Sequence, residues 1–180
     1  MRMTMRKIGR ALAGGSLLAL VLTFGTWVQA GPSNTSLPTF SDASPALHVY
    51  TVVGVIKNND LETVFICTNL DTVPVHLGVE VFDKDGVLAN SVNAGNGAIL
   101  NVAVGATRTI GTSGTVLLSD DHQITGLPNL RNGSGRVVAT SKTLSCSALL
   151  VDEVHAIVDP LLCPTCPPPA LAHLPLIRVP

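Results

Sequence analysis

The four cysteines are the residues of this chain whose positions restrict its chemistry most. Cys67 and Cys146 lie far apart in predicted strands, and Cys163 and Cys166 form a Cys-Pro-Thr-Cys motif in a proline-rich segment. Four cysteines allow three pairings, of which we favour 67–146 with 163–166, while the other two stay open. A redox Cys-x-x-Cys motif normally begins a helix in a βαβ unit. Its proline-rich surroundings here favour a local disulfide over redox chemistry.

Metal binding has two candidate sets in the sequence. His155 and His173 are the histidines nearest the Cys-x-x-Cys motif, but they have no recognised zinc spacing. Asp83, Asp85 and Gly86 resemble the start of a calcium loop, yet Val92 stands where such a loop has its bidentate glutamate. We therefore predict a solvated hairpin turn at Asp83 to Gly86, and neither a metal nor another cofactor.

Nucleophilic catalysis would need a serine beside a base. The candidates are Ser113, Ser134, His76, His122 and several aspartates. The chain contains no Gly-x-Ser-x-Gly elbow, and the run from Gly111 to Gly114 differs from that spacing. We therefore predict that the protein is not an enzyme.

Ligand binding has weak candidates on the predicted polar strand faces and in the longest predicted loop, residues 119–133. A glycan site on a β-sandwich usually needs exposed aromatic rings for stacking. Few aromatic residues follow residue 30, and Tyr50 and Phe82 are the ones predicted on the wetter strand faces. Asp120, Asp121 and His122 are the polar candidates in the loop, since long loops often carry binding residues.

Strands are the elements that must position these residues. The stretch from Val73 to Phe82 alternates: Val75, Leu77, Val79 and Val81 share one face, and the other carries His76, Gly78, Glu80 and Phe82. This predicts a strand with one buried and one wetter face. Glu62 to Asn69 is apolar on both faces, which favours a central strand. Because Asp85-Gly86 favours the positive φ of tight hairpins, it predicts a turn after the strand that ends at Phe82.

The chain divides into four predicted segments. Residues 1–30 have a basic start, an apolar run and small residues before Gly31, which indicates a signal peptide cleaved after Ala30. Residues 31–46 are rich in Ser, Pro, Thr and Gly and predict a flexible leader. Residues 47–153 form the β domain. Residues 154–180 form a proline-rich tail in which Ala170 to Val179 regains apolar character and predicts an edge strand.

Composition and charge indicate an exported protein. All four cysteines follow the predicted cleavage point, which fits an oxidising extracellular or periplasmic compartment. Removal of residues 1–30 takes away four of the 11 basic residues and none of the 12 acidic ones, which leaves a net charge of −5. A mildly acidic surface argues against nucleic acid or an anionic membrane as a partner.

The pattern of short strands predicts an all-β fold, an antiparallel β-sandwich of seven to nine strands. Turn signals recur about every ten residues, and no segment carries a long helical period. Cys67 and Cys146 each share a strand face with apolar residues. We therefore expect a disulfide that joins the two packed sheets.

The central part of the chain also resembles a known family. Bacterial immunoglobulin-like modules of secreted proteins are similar in the order of their motifs, which here is Phe65-x-Cys67-x-Asn69, then Pro74-Val75 leading to Val79 to Asp83, then Gly86, then Val104-Gly-Ala-Thr107. The resemblance covers about residues 47–152 and implies an immunoglobulin-like sandwich without catalytic residues.

These observations lead to two functional hypotheses. The first is a secreted, non-enzymatic structural or protein-interaction module of the cell envelope or extracellular space, which meets a protein partner or another copy through a strand edge or the C-terminal tail. The alternative is a module that binds a glycan or small ligand through the 119–133 loop. The sequence predicts no nucleic-acid partner, and no membrane partner after cleavage.

Overall fold

A computed structural model of the chain describes residues 31–155, 164–166 and 168–180. The predicted signal peptide and Cys163 lie outside these residues. The described residues contain ten strands and one short 3-10 helix, Val92–Ala94. The strands are β1 (Leu47–Lys57), β2 (Leu61–Asn69), β3 (Val75–Phe82), β4 (Ala98–Val102), β5 (Thr107–Gly111), β6 (His122–Gln123), β7 (Leu130–Ala139), β8 (Leu144–Asp152), β9 (Leu171–Leu174) and β10 (Leu176–Arg178).

The strands form two five-stranded sheets of an all-β sandwich. The first sheet has the order β10-β1-β7-β3-β4, and the second has the order β6-β5-β2-β8-β9. Neighbouring strands are antiparallel, apart from the short parallel pair of β5 and β6. The strand number exceeds the expected seven to nine because the tail contributes two strands and His122–Gln123 adds a two-residue one.

The core lies between the sheets, where the predicted alternation places it. Val75, Leu77, Val79 and Val81 of β3 are buried in the main apolar cluster, and β2 is the middle strand of its sheet. The ring of Phe65 on β2 packs against Gly135 on β7, where a Cβ would lie only 3.0 Å from the ring. This close approach between the sheets favours glycine, because a side chain at position 135 would make the Phe65 ring shift.

The disulfide between Cys67 and Cys146 forms, but not in the predicted place. Both cysteines lie in the second sheet, where they are directly paired in register on neighbouring strands β2 and β8, with Cα atoms 4.1 Å apart. The prediction of a bond between the sheets is therefore wrong. Both cysteines face inward, but residue periodicity gives the face of a strand and not the sheet to which it belongs. The immunoglobulin disulfide joins two sheets, so this bond differs from it.

The outer face of β3 is not wetter, as the alternation predicts. Glu80 and Phe82 are fully buried, and His76 is half-buried. The covering element is residues 31–46, which we call the N-terminal segment. It lies across the first sheet, where Phe40 and Ala46 pack with Val92 and Val138 in a second apolar cluster.

The N-terminal segment is packed onto the body, in contrast to the flexible leader predicted for these residues. The guanidinium group of Arg136 on β7 donates to the carbonyl oxygens of Pro32, Thr35 and Ser36 at 2.7–3.0 Å. The same group donates to the Glu80 carboxylate at 2.7 Å. Because burial of a charged group needs partners on all its donors, the segment's backbone is part of the domain.

The predicted 119–133 loop is shorter than expected. Its beginning contains β6, and its end belongs to β7, which starts at Leu130. Leu130 is buried in the main core, which ties this end to the sheet. Among the described residues, no helix has the length and apolar character needed to cross a membrane.

Candidate functional site

The tail forms an edge strand of each sheet, and we call residues 171–178 the C-terminal strand pair. β9 pairs with β8 from Val151↔Leu171 to Ala148↔Leu174, and β10 pairs with β1 from Val52↔Leu176 to Tyr50↔Arg178. Between them stands Pro175, which has no N–H for a ladder. The chain therefore leaves one sheet at this residue and joins the other along the same side of the sandwich.

Side-chain packing of the C-terminal strand pair is slight. Leu174 and Leu176, on either side of Pro175, are half-buried against the main core. Leu171 and Ile177 are 66% and 56% exposed. Most of the attachment is thus backbone pairing with two apolar anchors, which is the way an extended peptide adds to a sheet edge.

Arg178 fixes the end of β10. Its guanidinium carbon lies 5.5 Å from the centroid of the Tyr50 ring, and its Nη1 donates to the Tyr50 hydroxyl at 3.2 Å. Its Nη2 donates to the Lys142 carbonyl at 2.8 Å, and the Lys142 ammonium group donates to the carbonyl of Pro180. The Tyr50 hydroxyl in turn donates to the Leu144 carbonyl at 2.8 Å. These contacts join β10, β1 and the turn before β8.

Asp152 fixes the start of β9. Its N–H donates to the Ala170 carbonyl at 2.9 Å, and its carboxylate accepts the N–H groups of Val154 and His155 and the Nδ1 of the His155 ring. The N–H of His155 is the main reason that the pKa of Asp152 lies far below its usual range. The carboxylate is therefore ionised at any ordinary pH and keeps both ends of the tail connection together.

The aromatic candidates do not form a binding platform. Tyr50 is only 8% exposed, and its ring contacts the Arg178 guanidinium group. Phe82 is fully buried, and the Arg136 guanidinium group lies 5.5 Å from its ring centroid. The alternation predicts both on wetter faces. Tyr50 instead follows a register shift in β1 and packs in the main core, whereas the N-terminal segment lies over the sheet face of Phe82. The four aromatic side chains among the described residues are all buried.

The three polar loop candidates point in different directions. Asp120 packs against the backbone of Gly111. Asp121 accepts the N–H of Thr109 at 2.8 Å. His122 accepts the N–H of Gly97 with Nε2 at 2.9 Å, and burial lowers its pKa. They do not converge on one site.

The candidate bases are already engaged. Nε2 of His76 lies 2.8 Å from the Asp42 carboxylate, and its Nδ1 accepts the N–H of Asn101 at 3.0 Å. A ring with both nitrogens bonded cannot take a proton from a nucleophile without losing one of these contacts. The Ser113 hydroxyl donates to Glu153 at 2.7 Å. These residues position loops and strands.

The candidate metal ligands show the same pattern. One Asp83 oxygen accepts the N–H groups of Asp85 and Val87, both at 2.9 Å, as in a side-chain-capped turn. Cys166 is disulfide-bonded. Within the described part of the chain, no group of three or more His, Cys, Asp or Glu residues is placed to hold a metal ion.

One open cleft does involve the predicted loop. It has a volume of about 320 Å³ and lies between the hairpin turn at Asp83, Lys84 and Asp85 and residues 128–132. Its lining combines two acidic side chains, two basic side chains and two asparagines. At this cleft the end of the predicted 119–133 loop lies beside the predicted hairpin turn at Asp83 to Gly86.

Arg178, Arg136 and Glu62 are not singled out by the sequence alone. Arg178 is the one Lys or Arg between residues 154 and 180. It lies two positions after Leu176 and therefore on the same strand face, which could have marked it as a contact residue. Arg136 and Glu62 offer no such signal, because charged residues in strands are usually solvated.

No family model, curated protein or solved structure matches this chain.

Proposed function

We propose that this protein is a secreted, non-enzymatic structural or protein-interaction module of the cell envelope or extracellular space, and that the C-terminal strand pair is its joining element. The observation that carries the proposal is the attachment of residues 171–178 to two sheet edges by backbone pairing with little burial of side chains. The disulfide and the predicted signal peptide support export.

The same pairing can be made between two copies of the chain. Backbone ladders do not distinguish an internal strand from an identical strand of another molecule, which is the basis of strand exchange. Residues 153–170 connect β8 to β9, although the ends of these strands are adjacent. Eighteen residues can extend to about 60 Å, so this connection is long enough to reach a neighbouring copy.

The partner is then a second copy, or a protein that offers or accepts an extended strand. A multi-angle light-scattering measurement of the full chain across a concentration series tests this proposal. We expect oligomers that form slowly and are absent from a chain that ends at residue 166. A monomer in both cases would overturn the proposal.

A locked variant provides the matched control. Thr51 and Ile177 are directly paired across β1 and β10, so their side chains lie on the same face and are close enough for a cross-strand disulfide. In Thr51→Cys/Ile177→Cys the tail cannot leave its own body. We expect this oxidised variant to stay monomeric at concentrations where the full chain assembles.

The cleft supports the second candidate function, the binding of a small polar ligand or glycan. Lys84 and Arg131 offer cations, and Asn129 and Asn132 offer amides, at one concave place. Binding of a glycan array to the full chain, lost in Arg131→Ala, would favour this alternative. Burial of Tyr50 and Phe82 removes the stacking surface that such a site would use.

A further inference from the structure

Glu62 is a fully buried carboxyl group with too few partners. It lies near the start of β2, and its Oε2 accepts the N–H of Ser113 at 2.9 Å. Its Oε1 is buried and has no hydrogen-bond partner among the described residues. A buried carboxylate oxygen without a donor is strongly disfavoured unless the group is neutralised.

Asp120 is a second carboxyl group with a buried, unpartnered oxygen, although the residue as a whole is half-buried. Its carboxyl group lies against Gly111, where a Cβ would be 2.8 Å from Oδ2, so a side chain at position 111 would make the carboxyl group move. Its Oδ1 is also buried without a partner in the described structure. Gly111 is joined to Ser113, which binds Glu62, by a single residue. The two carboxyl groups therefore flank the same three-residue stretch.

The charges around these groups are mostly negative. Glu153 accepts the Ser113 hydroxyl and adds a third carboxylate, and Asp121 is next to Asp120 in the chain. Arg108 lies 3.8 Å from Asp121, and His155 contacts Asp152. Lys57 is the cation that faces Glu62, and within the described residues it makes no ion pair with it.

We propose that Glu62 and Asp120 form a proton-binding site, in which bound protons neutralise the buried carboxyl group of Glu62 and the half-buried one of Asp120 and thereby make the folded sandwich more stable in mildly acidic than in alkaline solution. A proton removes the charge that burial disfavours and turns an unpartnered acceptor into a hydroxyl. Lys57 and the Ser113 N–H are too few to do this for both groups.

The direction of the pH dependence follows from this arrangement. Burial is the main cause that raises the pKa of Glu62 to about 7 and that of Asp120 to about 6, and neighbouring carboxylates add to both effects. In the unfolded chain these pKa values are near 4.5 and 3.8. A raised folded-state pKa gives stability that is complete below the unfolded value and is lost as the pH rises through about 6 to 7.

The test is the pH dependence of unfolding of the full oxidised chain. Urea unfolding from pH 5 to pH 8 should show the folding equilibrium constant falling by roughly several hundredfold from the raised pKa values of Glu62 and Asp120, reduced by the lowered pKa of His122, which acts in the opposite direction. Glu62→Gln should remove most of this fall, and Asp120→Asn should remove a smaller part. Asp85→Asn, on the exposed hairpin turn, is the matched control and should keep the whole fall.

A spectroscopic measurement keeps the test decisive if a variant folds poorly. At pH 6 the folded wild-type chain should show the infrared carbonyl band of a protonated carboxyl group, and this band should weaken in Glu62→Gln. A wild-type stability that is flat between pH 5 and pH 8, or a slope unchanged in both variants, would overturn the proposal. A third result would also overturn it. If the chelated protein becomes more stable when Ca²⁺ is added, and Glu62→Gln abolishes this gain, the site holds a metal and not protons.

Discussion

The two ends of the described chain are attached to the body in opposite ways. The N-terminal segment enters a buried environment, where Phe40 packs in an apolar cluster and three backbone carbonyls hold the Arg136 guanidinium group. The C-terminal strand pair remains at the sheet edges, where Leu171 and Ile177 are exposed. The first attachment is made by side chains and the second by backbone ladders.

This difference determines which end can separate from the body. If the N-terminal segment left, Arg136 and Glu80 would remain as an ion pair stripped of its carbonyl partners, which is costly for buried charges. If the C-terminal strand pair left, the edge N–H and C=O groups of β1 and β8 could bind water. We therefore regard the first as a permanent part of the domain and the second as exchangeable.

The largest effect is expected where the N-terminal attachment is broken at its charge. Arg136→Met leaves the buried Glu80 carboxylate without its cation and should lower the free energy of unfolding by about 3–5 kcal/mol. Urea denaturation at pH 7 measures this loss. Arg131→Met on the exposed start of β7 is the matched control and should change the value by less than about 0.5 kcal/mol. Equal losses in the two variants would contradict a permanent N-terminal attachment.

The apolar half of the same attachment should come next. Phe40 is buried against Ala46, Val92 and Val138. Truncation of such a ring in Phe40→Ala leaves a cavity and should lower the free energy of unfolding by about 3 kcal/mol. Near-neutral behaviour in thermal and urea unfolding would mean that the N-terminal segment is an appendage, as the sequence predicts.

The C-terminal attachment should tolerate a more drastic change. A chain that ends at residue 166 loses both edge strands, but only two half-buried leucines leave the core. We expect it to remain folded and to lose about 2 kcal/mol of the free energy of unfolding, from two partly buried apolar side chains. Circular dichroism and urea unfolding check this expectation. A truncated chain without a cooperative transition would show that the tail is indispensable.

The smallest effect is expected at the end of β10. Arg178→Ala removes the contact with the Tyr50 ring and two hydrogen bonds from an exposed side chain, which should cost below about 1 kcal/mol. Global unfolding barely detects such a change. Amide hydrogen exchange should detect it as faster exchange at residues 176–178, while β3 and β7 keep their protection.

Sequence periodicity predicts the inner faces of the strands well and the outer faces poorly. Val75 to Val81 face the core as their alternation requires, and β2 is central as its two apolar faces indicate. The same alternation marks Glu80 as solvated, because it does not reveal that a distant segment will cover the sheet. Arg136 lies directly across from Glu80 on β7. The sequence alone does not identify this pair, because the pairing of β3 with β7 is known only from the structure.

The candidate site is only partly predictable from the sequence, for the same reason. The apolar run from Ala170 to Val179 predicts one edge strand, whereas Pro175 divides it between two sheets. The alternation marks Tyr50 as a ligand contact, whereas its hydroxyl and ring hold Arg178. The two cysteines are predicted in different sheets because strand order cannot be obtained from residue periodicity.

The most direct measurement of exchangeability is the binding of a separate tail. A fluorescent peptide with the sequence of residues 168–180 is added to the folded chain that ends at residue 166, and fluorescence anisotropy follows binding. We predict saturable binding that is weakened when the peptide carries Arg178→Ala and abolished when it carries Leu174→Asp and Leu176→Asp. Absence of binding to the folded truncated chain, or equal binding of a scrambled peptide, would contradict an exchangeable C-terminal strand pair.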